Sequence, residues 1–253
     1  MRDKLLRLLR GVAVAIFWLT VWAGGCYLAN RTLLIPLPYP WDVAKVLWQL
    51  VGEISFWTAV GMSLLRVVAG FAVALAAGVA LAMLTTRFAV VHTLLSPILS
   101  VIKATPVASF ILLAFLWIRA ENMPTFIAFL MVIPLVWENV RQGILHTDKK
   151  LLEMAKVFHV PLWRQVRGIY IPAVLPYFRT AVSLGLGLCW KAGVAAEVIG
   201  LPTGSVGEQL YNAKVYYMTP DLFAWTAVIV AVSVVFEKLF LRLVDAAVGK
   251  AGG

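Results

Sequence analysis

Charged side chains are scarce in this chain: 12 acidic and 22 basic residues among 253 make up 13%, about half the share found in soluble domains. No carboxylate pair and no Ser/His/Asp set stands out, so no constellation for acid–base or nucleophilic catalysis is offered. Cysteine is nearly absent. Cys26 and Cys189 both fall in apolar runs, which excludes a disulfide framework and a thiolate metal site. The three histidines, His92, His146 and His159, are too scattered to hold a metal. No Gly-rich loop ends in Lys-Ser/Thr, so the chain encodes no phosphate cradle. These absences predict a protein with no catalytic residues, metal or cofactor of its own.

What the chain has instead is hydrocarbon. Hydrophobic residues make up 62% of it and the mean hydropathy is +0.91, an excess that membrane embedding explains better than a soluble core. A net charge of +10 raises the question of nucleic acid. The basic residues sit between the apolar runs rather than in one patch, as membrane topology requires. Nucleic acid is therefore excluded as a partner.

A span needs about 20 mostly apolar residues. Six runs qualify, at about 11–29, 59–84, 90–118, 123–144, 173–200 and 222–244, the third broken by Lys103 and Pro106. Six spans put both termini on one side. That side then carries eleven basic residues (Arg2, Lys4, Arg7, Arg10, Arg87, Lys149, Lys150, Lys156, Arg164, Arg167, Lys250) against four opposite (Arg31, Lys45, Arg119, Lys214). The bias predicts cytoplasmic termini and a cytoplasmic segment at 148–172. The predicted fold is an all-α integral membrane protein of six transmembrane helices. Its parts are an N-terminal end with the first span (1–33), an extracytoplasmic Pro-rich segment with a surface helix (34–58) and a five-span core (59–248).

The start, basic and then apolar up to Ala23-Gly-Gly-Cys26, superficially resembles a lipoprotein signal. Ala23 stands where such signals carry a larger aliphatic residue, and export of the rest contradicts the charge bias, so no cleavage is expected. Leu34-Ile-Pro36-Leu-Pro38-Tyr-Pro40-Trp41 favours an extended or turning backbone. Asp42 is expected to cap a short helix whose Val43, Val46, Leu47 and Leu50 share one face. Gly200 to Tyr217 is too polar to span and reads as a turn plus a short surface or re-entrant helix. No internal repeat is present, so an inverted-repeat fold finds no support.

The segment from Asp148 to Pro172 stands out against its apolar surroundings. Leu151, Leu152, Ala155 and Phe158 form a stripe at helical spacing, with Lys149, Glu153 and Lys156 elsewhere. Pro161 ends one helix and opens the next, whose stripe is Leu162, Val166 and Ile169. Periodicity alone fits a connector in the lipid headgroups as well as a protein-docking element.

Glu153-Met-Ala155, position 159 and Ile169-x-Ile171-Pro172 resemble the Glu-Ala-Ala loop of permeases from bacterial binding-protein-dependent ABC importers. That pattern is Glu-Ala-Ala, three residues, Gly, nine residues, Ile, one residue, Leu-Pro. Met154 replaces the middle Ala, Ile171 the Leu, and His159 the Gly that supplies a left-handed turn; histidine tolerates that region better than most residues. Pro36-Leu-Pro-Tyr-Pro-Trp-Asp-Val, Ser63-Leu-Leu-Arg66-Val-Val-Ala-Gly70, Leu175-Pro176-Tyr-Phe and Trp190-Lys191-Ala-Gly193-Val-Ala-Ala-Glu197 resemble its nitrate/sulfonate/taurine subgroup over roughly residues 35–245.

The resemblance implies a type I ABC importer permease in the bacterial inner membrane. Such a permease pairs with a second copy or close relative, two ATP-binding subunits and an extracytoplasmic substrate-binding protein, all within membrane lipid. It also implies that the 148–172 loop docks the ATPase, through Leu151, Leu152, Glu153, Ala155, Phe158, His159, Pro161, Arg164, Ile169 and Pro172. ATP hydrolysis then belongs to another chain, and the cargo is a small anion such as a sulfonate, taurine or nitrate, or a thiamine precursor or riboflavin-type heterocycle.

Ionisable groups within spans are costly and face the bundle interior or a watery path. Lys103, Glu138, Lys191 and Glu197 are candidates to line a pathway, with the lysines favouring an anion; the alternative is that they are structural ion pairs. Arg66 and Arg179 are expected near span ends, where snorkelling suffices. Glu138 and Arg141 are spaced to pair locally, whereas Lys191 and Glu197, about 9 Å apart along a helix, should find separate partners. Thr105-Pro106 and Pro134 predict kinks, and Gly185-Leu-Gly187 a close helix approach. Trp18, Trp22, Trp41, Trp48 and Trp57 read as interfacial anchors. An energy-independent carrier or channel, and a membrane-embedded lipid-phosphate transferase, are the alternatives of another class.

Overall fold

A computed structural model describes residues 2–32 and 36–251, without the side chains of residues 2–9, 243, 245 and 247–251. The side chains of Arg2, Lys4, Arg7 and Lys250, used in the charge count, and Leu34 and Ile35 of the Pro-rich stretch lie outside the described residues. Among the described residues the regular elements are all helices, with no strand.

Just beyond helix α1 (Arg2–Ala29), Asn30 clamps Leu37, donating to its carbonyl at 3.1 Å and accepting from its N–H at 2.7 Å. Helix α2 (Pro40–Val51) starts on Pro40, whose missing N–H costs nothing there. Tyr39, not Asp42, is its N-cap; Asp42 lies in the first turn without a capping bond. Val43, Val46, Leu47 and Leu50 do turn inward.

Helices α3 (Ile54–Arg87), α6 (Met123–Leu145) and α9 (Ile171–Gly200) form the core, α6 lying between the other two. Val67, Phe71, Val132, Val136, Val182 and Leu186 interdigitate there. In lipid, such contact depends on small residues that let backbones approach. Gly70 is one, because a Cβ there would collide with the Thr125 carbonyl. Of the predicted Gly185/Gly187 pair only Gly185 meets a neighbour, Phe71; Gly187 faces open space.

The predicted third span is two helices, α4 (Ala89–Ala104) and α5 (Val107–Ala114), whose axes turn by 106° at Thr105-Pro106. Pro106 cannot donate and excludes helical geometry from Thr105, whose ψ is 132°. Pro134, by contrast, leaves α6 continuous. Among the described residues five helical stretches are long and apolar enough to cross a membrane, or six with the bent pair.

The fifth span starts earlier than position 173. Helix α8 (Leu162–Gln165) runs through a π-helical turn (Val166–Tyr170) into α9, giving 39 continuous residues. Pro172 leaves the Gly168 carbonyl without its usual donor. The wider turn accommodates this, with the Ile171 N–H reaching back to the Val166 carbonyl. Helices α10 (Val206–Val215) and α11 (Thr219–Ala251) complete the chain, and Phe56, Val60, Val206, Trp225 and Val228 pack α3, α10 and α11 together.

Candidate functional site

Helix α7 (Lys149–Val157) begins at Asp148, whose carboxylate accepts from the Lys150 N–H at 2.8 Å. It ends in a left-handed turn at His159, with φ 50°. The Val160 N–H bonds to the Ala155 carbonyl at 2.8 Å and the His159 N–H to the Lys156 carbonyl at 3.2 Å, a Schellman closure that glycine usually makes. Gln165 then donates to the Val160 carbonyl at 2.7 Å, and Pro161 becomes the N-cap of α8 rather than its first residue. Two hydrogen-bonded turns thus fix a rigid elbow between α7 and α9.

The predicted stripe on α7 is split by packing. Ala155 is buried and Leu152 half-buried, whereas Leu151 and Phe158 point outward with Met154 and Val157, residues outside the predicted stripe. Beyond the turn Leu162 is 77% exposed and Trp163 61%. Leaving such apolar area in water costs about 25 cal/mol per Å². Exposed apolar surface of this kind meets either lipid or a protein partner. Glu153 is exposed and in no ion pair among the described residues.

At the other end of the core, Glu197 is completely buried. Its Oε2 accepts from Ser63 Oγ at 2.7 Å and from the Gly207 N–H at 3.2 Å, and Ser63 in turn accepts from the Val206 N–H at 3.0 Å. The first turn of α10 is thus capped by side chains of α9 and α3. Any Cβ on Gly207 would collide with Glu197. Arg66 lies 3.8 Å from Glu197 Oε1 and donates to the Thr203 carbonyl at 3.3 Å. Its side chain is 11% exposed, so it is fastened within the fold rather than snorkelling from a span end.

Lys103 and Glu138 pair at 3.2 Å across α4 and α6, both partly exposed. Glu138 also accepts from Gln142 at 3.2 Å; Lys103, not Arg141, is its ion-pair partner. Lys191 is exposed on α9, in line with Leu184 and Leu188, and has no carboxylate partner among the described residues. Glu197 and Lys191 are therefore not partners, as their spacing predicted, but of the separate partners expected for both only that of Glu197 is found among the described residues. Arg179 is exposed. Among the described residues no group of His, Cys, Asp or Glu could hold a metal.

Sequence reasoning gave no role to Ser63, met only at the head of a family-like motif, or to Gly207, whose only signal was a small residue in a polar stretch. It also left Met154 and Val157 off the exposed face, although Met154 holds the middle position of the Glu-Ala-Ala pattern.

The family described as the binding-protein-dependent transport system inner membrane component matches residues 74–250. A probable ABC transporter permease of Brucella melitensis is 27% identical over 238 residues, covering 91% of this chain and 94% of its own length. A putative aliphatic sulfonates transport permease of Bacillus subtilis is 26% identical over 240 residues, covering 94% and 84% respectively. Among solved structures, a chain of an amino acid ABC transporter crystallised with histidines superposes with a TM-score of 0.60 at 20% identity, over 76% of this chain and 92% of that one. That likeness concerns the fold.

Proposed function

Since the chain belongs to the family of binding-protein-dependent transport system inner membrane components, a multi-pass permease of ABC importers, we propose that two copies of it enclose a pathway for a small anion and that each elbow seats on an ATP-binding subunit. The observation carrying the docking role is the exposed apolar face of a helix locked at both ends. A short rigid element transmits rigid-body motion, which a slack loop does not. The charge bias sets that elbow, and both termini, in the cytoplasm. An extracytoplasmic binding protein delivers cargo to the α10 end.

Lys191 supports an anionic cargo, because an unpaired cation on an exposed stripe of a span is costly unless it meets an anion or water. A sulfonate fits that chemistry, and the Bacillus subtilis relative is named for aliphatic sulfonates. Lys103 and Glu138 stand on the same pathway as a paired, half-open contact. Glu197, enclosed by Ser63 and Gly207, serves to hold its outer end together.

The deciding experiment replaces Leu151 and Met154 with Asp and measures co-purification of the ATP-binding subunit. Loss of association at normal membrane abundance is expected. Unchanged association with unchanged uptake removes the docking role, and uptake without any ATPase returns the chain to the carrier class.

A further inference from the structure

A groove of about 770 Å³ opens between the ends of α3 and α6 and the foot of α9, on the elbow side of the core. Its walls are hydrocarbon: Val79 and Met83 from α3, Val140 and Ile144 from α6, Val174 and Phe178 from α9. The π-helical turn closes one end through Val166 and Tyr170. Arg87 and Thr86 from the last turn of α3 also line it. Arg87 is exposed, lies over the Phe88 ring at 5.7 Å and has no carboxylate partner among the described residues. From Val79 to Arg87 the groove follows α3 for about 12 Å. Its volume is in the usual range of about 300–1,000 Å³ for ligand sites.

The geometry points to a binding site for an anionic phospholipid, one acyl chain lying along the hydrocarbon walls and the phosphate on Arg87. A cavity that is apolar along its length and cationic at one end matches an amphiphile with a charged head. A soluble polar solute would leave its own polar groups unpaired against those walls. Basic pockets between spans at the level of the headgroups favour anionic lipid, and Arg matches a phosphate with more than one N–H. The bound chain wedges α3 against the turn that joins the elbow to α9, so it stiffens the element through which force passes. This last consequence rests on the docking role and orientation proposed above; the binding does not.

The test is retention of lipid by the purified permease, read by native mass spectrometry after exchange into dioleoyl phosphatidylglycerol or dioleoyl phosphatidylcholine. The wild type is expected to prefer phosphatidylglycerol about fivefold, on the order of 1 kcal/mol for one basic side chain at a net anionic headgroup, because phosphatidylcholine offers the same phosphate but cancels it with its own cation. Arg87→Gln, at an exposed helix end, should abolish the preference and keep residual chain binding. Met83→Trp, which fills the groove from a wall, should lower retention of both lipids.

Equal retention of the two lipids by the wild type, or an undiminished preference in Arg87→Gln, overturns the site. Displacement by millimolar glycerol phosphate overturns the lipid assignment in favour of a free phosphate. In proteoliposomes with the ATP-binding subunit, uptake should rise with phosphatidylglycerol content for the wild type and stay flat for Arg87→Gln. If lipid preference holds but that rise is missing, the coupling role fails and the site survives.

Discussion

The two ends of the core use polar and apolar groups in opposite ways. Around Glu197, Ser63, Gly207, Val206 and Arg66 converge inside the fold: Oε2 is hydrogen-bonded by Ser63 and Gly207, while Oε1 has only the Arg66 charge at 3.8 Å. At the elbow the backbone is equally well bonded, through Asp148, Ala155 and Val160. Its large apolar side chains, however, point away from the chain. A buried polar group is tolerated when partners within the fold meet it. An exposed apolar one is tolerated when something else covers it. The first region finds its partners within its own chain, and the second leaves its apolar side chains uncovered by it.

That contrast breaks most sharply at Glu197. Glu197→Ala removes the acceptor from Ser63 and Gly207 and leaves Arg66 without its counter-charge, a loss of about 3–5 kcal/mol. The expected result is a large fall in the amount of folded protein, read by thermal unfolding in detergent. Normal folding with defective uptake would instead put Glu197 on the pathway. The Leu151→Asp, Met154→Asp variant should do the reverse, folding normally and losing its ATPase.

Lys191→Ala sharpens the comparison from a third position, because Lys191 belongs to neither region. Uptake should drop about tenfold, the scale of one charged contact, with abundance unchanged. Normal transport by that variant would dismiss it from the pathway. The smallest effect is expected at the elbow turn, where φ is 50° at His159. His159→Val should cost about 1–2 kcal/mol because a branched Cβ crowds the carbonyl there, while His159→Gly should be stable. Equal melting of all three proteins would show that the turn is not held left-handed.

Much of this was legible in the order of residues. The apolar runs located the spans, since length and hydropathy suffice where lipid is the solvent. Pro106 located the break in α4–α5, although not its angle of 106°, which depends on how α5 settles against Met123 and Ala196. Val160-Pro161 divided the elbow correctly. Pro172 misled, because it looked like the end of a segment; a π-helical turn carries the helix past it. The face of α7 was read from period alone, and period does not say which edge meets the core. Ala155 went in and Met154 came out.

The sequence by itself determined the membrane class, the helical architecture, the family and the place of the elbow, because each follows from composition, local breakers or a fixed spacing along one strand of chain. Only the tertiary structure decided which charges are spoken for. Glu197 lies 134 residues from Ser63, and Lys103 lies 35 from Glu138. Such partners are set by helix packing in three dimensions, which no spacing along the chain records.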